Sequence, residues 1–267
     1  MRAQHHAGGI VTWRFAVDGP DVTAVFTTRH GGCSSGPYAG LNLAYHVGDD
    51  PACVAANRSL VCEALGVDRL TVADQQHGCA VAVVDAALAG AGHGSEEDSR
   101  ARLAGVDALV TDRPGAALAV LVADCAPVVL VDPVHRALGV VHAGRAGVCV
   151  DVVGATVRAM EERFGSCPPD LRAGVGPCIG AANYEIADGA LDAVRDAFGD
   201  DLLQPTSEGR ARFDLSAAVR RRLADAGVDG DAVDVMGVDT AAAGADLFSD
   251  RVARPCGRSM LIAALRP

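Results

Sequence analysis

Six strand-length apolar runs crowd the stretch between residues 69 and 142, near 69–76, 79–85, 106–111, 117–123, 126–132 and 137–142. Several connections between them are too short for the helical crossover that parallel neighbours require. The chain is therefore held to a mixed sheet within one α/β domain, not a pure doubly wound fold. Half of the 267 residues are hydrophobic, which suffices for a sizeable core, but aromatics are only 4%. Valine, alanine and leucine must fill that core.

Further elements frame these runs. Val22–Thr28 reads as a strand leading into a glycine- and serine-rich loop, Arg29 to Gly36. Asp50-Pro51 reads as an N-cap and first-turn proline, and Gly66 as the end of that helix. Helices are expected near 148–164, 188–198 and 214–226, the last capped by Asp214, and strands at Leu171–Val175 and near 232–237 and 258–264. Ala89–Gly105 reads as a mobile polar loop, and residues 1–15 as a loosely ordered N-terminal segment of a single domain spanning 1–267.

Three of the runs end at a residue that can bind a soft metal. The segments are Gln75-Gln76-His77-Gly78, Ala123-Asp124-Cys125-Ala126-Pro127 and His142-Ala143-Gly144. Strand ends expose side chains at one edge of a sheet, where α/β proteins place their chemistry. Two imidazoles and one thiolate form a typical three-ligand zinc set, with a fourth position left for water or substrate. Each residue alone also has a plain reading: a packed cysteine or a hydrogen-bonded histidine. Asp124 points away from Cys125 if the strand continues, or serves as acceptor for a ligand histidine if it ends there.

Composition excludes other chemistry. All 23 basic residues are arginine, so there is no Walker A lysine, pyridoxal Schiff base or Ser–Lys dyad. The net charge of −11 with no basic cluster argues against nucleic acid and anionic membrane as partners. Nine cysteines is an odd number, and several sit in apolar runs as small hydrophobes. With a polar N-terminus in place of a signal sequence, these point to a reduced, cytoplasmic protein. No signal for a particular oligomeric state is present. For anions, Arg29 beside the glycine loop is the first candidate, followed by Arg58 and Arg145; the plain alternatives are a glycine-rich turn and surface ion pairs. His30, His46, His93 and His135 read as bystanders.

Ordered blocks along the chain carry a resemblance. They include Thr27 to Gly32, Leu41-Asn42-Leu43, Val47 to Asp50, Asn57-Arg58, Gln76 to Gly78, Asp107 to Thr111, Ala123 to Pro127, His142 to Gly144 and Gly176 to Gly180. Tyr184-Glu185, Phe248-Ser249 and Gly257-Arg258 also fit. On these blocks the chain resembles the laccase-domain family, formerly labelled multicopper polyphenol oxidase. That family is associated with zinc-dependent purine nucleoside phosphorylase activity and includes the bacterial peptidoglycan editing factor. The resemblance implies a single-domain mixed β-sheet sandwich flanked by helices, with catalytic zinc on His77, Cys125 and His142. It implies phosphorolysis of adenosine, inosine, guanosine and methylthioadenosine, and deamination of adenosine. Arg29, Asn42, Arg58 and Arg145 become the substrate-binding candidates, with purine nucleosides and phosphate as partners. Two departures bear on substrate preference: Arg145-Ala146 stands where the family has Trp-Arg, and Asp250-Arg251 where it has two arginines. Two rival readings use the same residues. One is a Cys–His hydrolase with Cys125 as nucleophile, editing a peptidoglycan precursor. The other is a closed structural zinc site in a binding protein. Multicopper chemistry is disfavoured by only eight histidines and no His-x-His pair.

Overall fold

The structure is a computed structural model and describes residues 2–267. Its first sheet runs in the order β1 (Arg2–His5), β2 (Val11–Arg14), β3 (Val22–Thr27), β15 (Ser259–Leu265), β7 (Ala117–Val122) and β4 (Leu70–Val72). Its second runs β14 (Val233–Val235), β10 (Arg172–Val175), β8 (Ala126–Asp132), β9 (Ala137–Ala143), β6 (Val106–Thr111) and β5 (Ala80–Val83). Both are mixed: β4 lies parallel to β7, whereas β15 is antiparallel to β7 and β8 to β9. The two sheets pack face to face, with helices on the outside, so the expected sandwich is the observed one.

The period of two in each central strand explains the layering. In β7, Leu118, Val120 and Val122 enter the core between the sheets, while Ala117, Ala119 and Leu121 face α1 (Pro51–Leu65). In β8, Val129 and Val131 face the inter-sheet core, and Ala126, Val128 and Leu130 face the opposite layer. Helices α4 (Val152–Phe164), α5 (Asp188–Phe198) and α6 (Leu215–Asp225) cover that layer. Strands apolar on both faces thus require cover on both sides.

Helix α1 begins and ends as its caps dictate. Asp50 accepts the Ala52 N–H, Pro51 follows, and Gly66 closes the helix in the left-handed region at φ 66°. Asp214 likewise caps α6 by accepting the Ala217 N–H.

Two expectations are corrected and two features are added. At the N-terminus β1 pairs with β2 and β2 with β3, and Trp13 buries its ring against Phe26 at 6.5 Å between centroids. The polar loop Ala89–Gly105 contains helix α2 (Glu96–Leu103), whose N-cap Ser95 accepts the Asp98 N–H. The helix expected over 148–164 is two helices, α3 (Arg145–Cys149) and α4, because Asp151 between them turns left-handed at φ 61° and caps α4 through the Gly154 N–H. A third sheet of β11 (Glu185–Ala187), β13 (Arg210–Phe213) and β12 (Leu203–Ser207) had no counterpart in the sequence reading. β12 is mostly exposed and polar, and β11 and β13 are only three and four residues long, too short for their alternation to announce them.

Candidate metal centre and active-site cavity

Three chain segments converge at one edge of the sandwich. His77 stands beyond the end of β4 at φ 59°, Cys125 lies in the turn from β7 to β8, and His142 is the penultimate residue of β9. Their ligand atoms all lie within 4.8 Å of one another, and the two imidazoles meet edge-on with centroids 4.7 Å apart.

Each segment is held by a distinct device. The Gln75 side chain pairs in both directions with the backbone of Leu121, donating to its carbonyl and accepting its N–H, each at 2.8 Å. This extends the β4–β7 pairing beyond the strand and fixes the approach to His77. Asp107, buried near the start of β6, accepts the N–H groups of Gln76, His77 and Gly78 at 3.2, 2.9 and 2.7 Å. The same carboxylate accepts Nδ1–H of His142 at 2.8 Å. One acid therefore orients one histidine directly and the other through its backbone.

Asp124 does different work from either role expected of it. At φ 87° it accepts the hydroxyls of Thr240 and Ser249 at 2.5 and 2.7 Å and the Arg251 N–H at 2.7 Å. It ties the loop before β15 to the edge that holds His77, Cys125 and His142. Asp107, not Asp124, is the acceptor for the histidine. The signal for it was a lone acid near the start of an otherwise apolar run, within a block already matched to the family.

Electrostatics couple the three side chains. Burial pushes the Cys125 thiol up, but His142 and His77 outweigh it and bring it down to about 6. Burial pushes His142 down, yet Cys125 and Asp107 raise it to about 9. For Asp107, burial is overcome by His142 and the backbone donors, which leave it below the usual carboxylate range. A thiolate beside two imidazoles is the donor set that a soft divalent ion takes. The backbone makes room for it: a Cβ on Gly144 would stand 2.6 Å from His77 Nδ1 and 2.9 Å from Cys125 Sγ. The residues fit a mononuclear metal, which His77, Cys125 and His142 would hold.

The cluster opens into a cavity of about 560 Å³, within the range of small-molecule sites. The arginines in its wall differ in what they are bonded to. Arg58 is buried and donates to the carbonyls of Leu43, Gly92 and His93 while stacking on Tyr45. Arg100 pairs with Glu96, and Arg254 and Arg258 both pair with Asp250. Arg251 is exposed, donates once to the Glu185 carbonyl and lies over the Tyr184 ring at 5.3 Å. Among the described residues its guanidinium has no carboxylate partner.

The structure places the other expected substrate residues elsewhere. Arg29 donates to the Ala39 carbonyl and stacks on Phe248 at 4.7 Å, and it does not line the cavity. Asn42 is fully buried, bonded to Ala44, Asp49 and the Arg258 N–H. Arg145 opens α3 outside the cavity wall. His46, read as a bystander, does line it, as do Glu96, Ser99 and Arg100 of the supposed loop.

Comparisons with known proteins agree with this architecture. Residues 23–266 match the family model described as multi-copper polyphenol oxidoreductase laccase. The chain is 39% identical over 209 residues to a purine nucleoside phosphorylase of Corynebacterium glutamicum, covering 78% of this chain and 80% of the relative. It is 43% identical over 205 residues to one of Streptomyces coelicolor, covering 76% and 80%. The crystal structure of YlmD from Geobacillus stearothermophilus superposes with a TM-score of 0.90 at 32% identity, covering 99% of each chain. With a family model spanning nearly the whole sequence and the sandwich shared with solved relatives, the chain belongs to the multi-copper polyphenol oxidoreductase laccase family.

Proposed function

We propose that this protein is a zinc-dependent purine nucleoside phosphorylase acting at the His77–Cys125–His142 edge. The observation that carries the reading is the three-donor cluster, built around a glycine and opening into a cavity with an arginine free of carboxylates. The relatives named purine nucleoside phosphorylase support it. Bound zinc would supply a Lewis acid at this edge.

Phosphorolysis joins a phosphate oxygen to the ribose anomeric carbon as the bond to the purine breaks, giving ribose 1-phosphate and free base. The protein must hold an anion against the sugar. Arg251 is the residue assigned to that task, in place of Arg29. Its backbone is anchored on Asp124, next to Cys125, and its guanidinium keeps N–H groups beyond the one used on Glu185. Asp107 holds His142 in one tautomer and orientation, and the Gln75–Leu121 pairing holds the His77 segment.

The line Cys125–His142–Asp107 also supports a second reading, a Cys–His hydrolase with Cys125 as nucleophile. Metal analysis of the purified protein and a nucleoside panel with and without phosphate separate the two. The phosphorylase reading expects about one zinc per chain, phosphate-dependent cleavage of inosine or adenosine, and ribose 1-phosphate as product. Arg251→Lys should raise the phosphate KM, because a point charge replaces a planar fork, and Arg251→Ala should raise it further, with zinc content unchanged in both. Cleavage that proceeds equally without phosphate and releases free ribose would refute it. Ammonia release from adenosine would mark deamination at the same edge.

A further inference from the structure

Cys33 sits in the glycine loop and Cys53 in the first turn of α1, and neither lines the cavity. Cys33 Sγ lies 3.5 Å from the Cys53 carbonyl oxygen, and Cys53 Sγ lies 3.6 Å from the Cys33 carbonyl oxygen. Each thiol thus donates to the backbone carbonyl of the other residue, and among the described residues no other two cysteines do so.

Nothing in the loop lets the pair drift apart. The Cys33 N–H donates to Asn57 Oδ1 at 2.9 Å, and Asn57 lies one turn along α1 from Cys53. Asn57 in turn donates to Ser34 Oγ at 3.0 Å and to the Asn42 carbonyl at 2.8 Å. A Cβ on Gly32 would meet the Gly40 carbonyl at 2.6 Å and Asn57 Oδ1 at 2.7 Å, so the loop backbone is pressed onto its support. Cys33 is exposed to solvent and Cys53 is partly covered, which orders their reactivity.

We propose that Cys33 and Cys53 are a redox-active dithiol that small disulfides oxidise to a bridge between the glycine loop and helix α1. The Cys33 thiolate attacks one sulfur of a disulfide such as oxidised glutathione and releases one glutathione thiolate. The Cys53 thiolate then attacks the Cys33 sulfur of the mixed disulfide and releases the second. Two protein thiols lose their protons and two electrons, and the oxidant becomes two thiols. Contact with Cys33, with desolvation and the charges of Asp50 and Asp49, pushes Cys53 up to about 11. The exposed Cys33 therefore makes the first attack, and Cys53 acts only in the intramolecular step, where proximity offsets its smaller thiolate fraction. The bridge closes the segment that carries Tyr45 and His46, both in the wall of the cavity. Oxidation thus pins one wall of the site without touching the metal ligands.

The test incubates the full chain with oxidised glutathione, then blocks free thiols and maps peptides without reduction. The expected result is a Cys33–Cys53 peptide pair and a protein lighter by about 2 Da, because two hydrogens leave in the exchange. Tm should rise by roughly 5–10 °C, as expected when a loop of this size is cross-linked in the unfolded chain, and dithiothreitol should reverse it. Cys53→Ser should stop at the mixed disulfide on Cys33, and Cys33→Ser should form no bridge. If wild type keeps both thiols, stops at the mixed disulfide, or pairs either cysteine elsewhere, the proposal is overturned.

Discussion

Asp107 carries four hydrogen bonds on one buried carboxylate, and three of them hold the segment that presents His77. Asn at this position would put an NH2 group against N–H donors, so at least one of those bonds must become a repulsion. Asp107→Asn is expected to weaken zinc binding by about 10- to 100-fold, the usual cost of losing an acid behind a metal histidine. Competition with a chromophoric chelator measures this independently of turnover, and an unchanged affinity would remove Asp107 from the site. The residue types of the candidate metal trio were legible in the sequence because histidine and cysteine at strand ends are a local signal. The acid behind them was not, since which carboxylate reaches His142 depends on β6 lying beside β9.

At the scale of elements, the turn after β9 is shaped by what must fit beside it. Gly144 has an ordinary extended backbone at φ −77°, so alanine is conformationally acceptable there and only the metal donors object. Gly144→Ala should therefore lower zinc content with little change in Tm, measured by elemental analysis alongside a thermal melt. A large Tm loss at full zinc content would contradict this. The β8–β9 hairpin offers a pH test. Asp132 accepts the N–H groups of Val134 and His135 at 2.8 and 3.0 Å and pairs with the His135 ring at 2.9 Å. Burial raises its pKa, but the Ser166 hydroxyl together with these bonds outweighs it and leaves the carboxyl below its ordinary value. A carboxyl depressed in the folded state contributes stability above its unfolded pKa and loses it as pH falls through the folded one. Asp132→Asn should cost about 1–2 kcal/mol near neutral pH, and the gap from wild type should narrow below about pH 4. Denaturant melts across pH 3–7 would show it; a gap independent of pH would not fit.

Across the whole molecule, Arg58 links pieces that the chain keeps far apart. From α1 it reaches the carbonyl before Ala44 and two carbonyls ahead of α2, while its guanidinium stacks on Tyr45 at 4.5 Å. Burial lowers its pKa to about 10, still charged at neutral pH. Arg58→Leu would strand three carbonyls, and a loss on the order of 3 kcal/mol, or roughly 6–12 °C in Tm, is expected. Since Arg58 also lines the cavity, zinc content is the control: it should persist in the folded fraction at low temperature. Arg58→Lys, with no planar fork, should recover only part of the loss. No helix among the described residues is long and apolar enough to cross a membrane.

The sequence by itself determined the strand runs of both large sheets apart from β1 and β2, the caps of α1 and α6, and the three residues that the structure gathers into one candidate metal site. These rest on signals a few residues long: a period of two, an Asp-Pro start, a glycine stop, a donor at the end of an apolar run. It also predicted one sandwich, through the ordered blocks that resemble a family. Only the tertiary structure decided that Trp13 locks the N-terminal strands into the first sheet, that Arg251 and not Arg29 faces the cavity, and that Asp107 serves His142. It alone placed Cys33 against Cys53. Each of these depends on which backbones approach one another across the sandwich, and arginine, aspartate and cysteine carry the same local pattern whether they meet a partner or solvent. The packing of distant segments supplies the partner, and the partner sets the role.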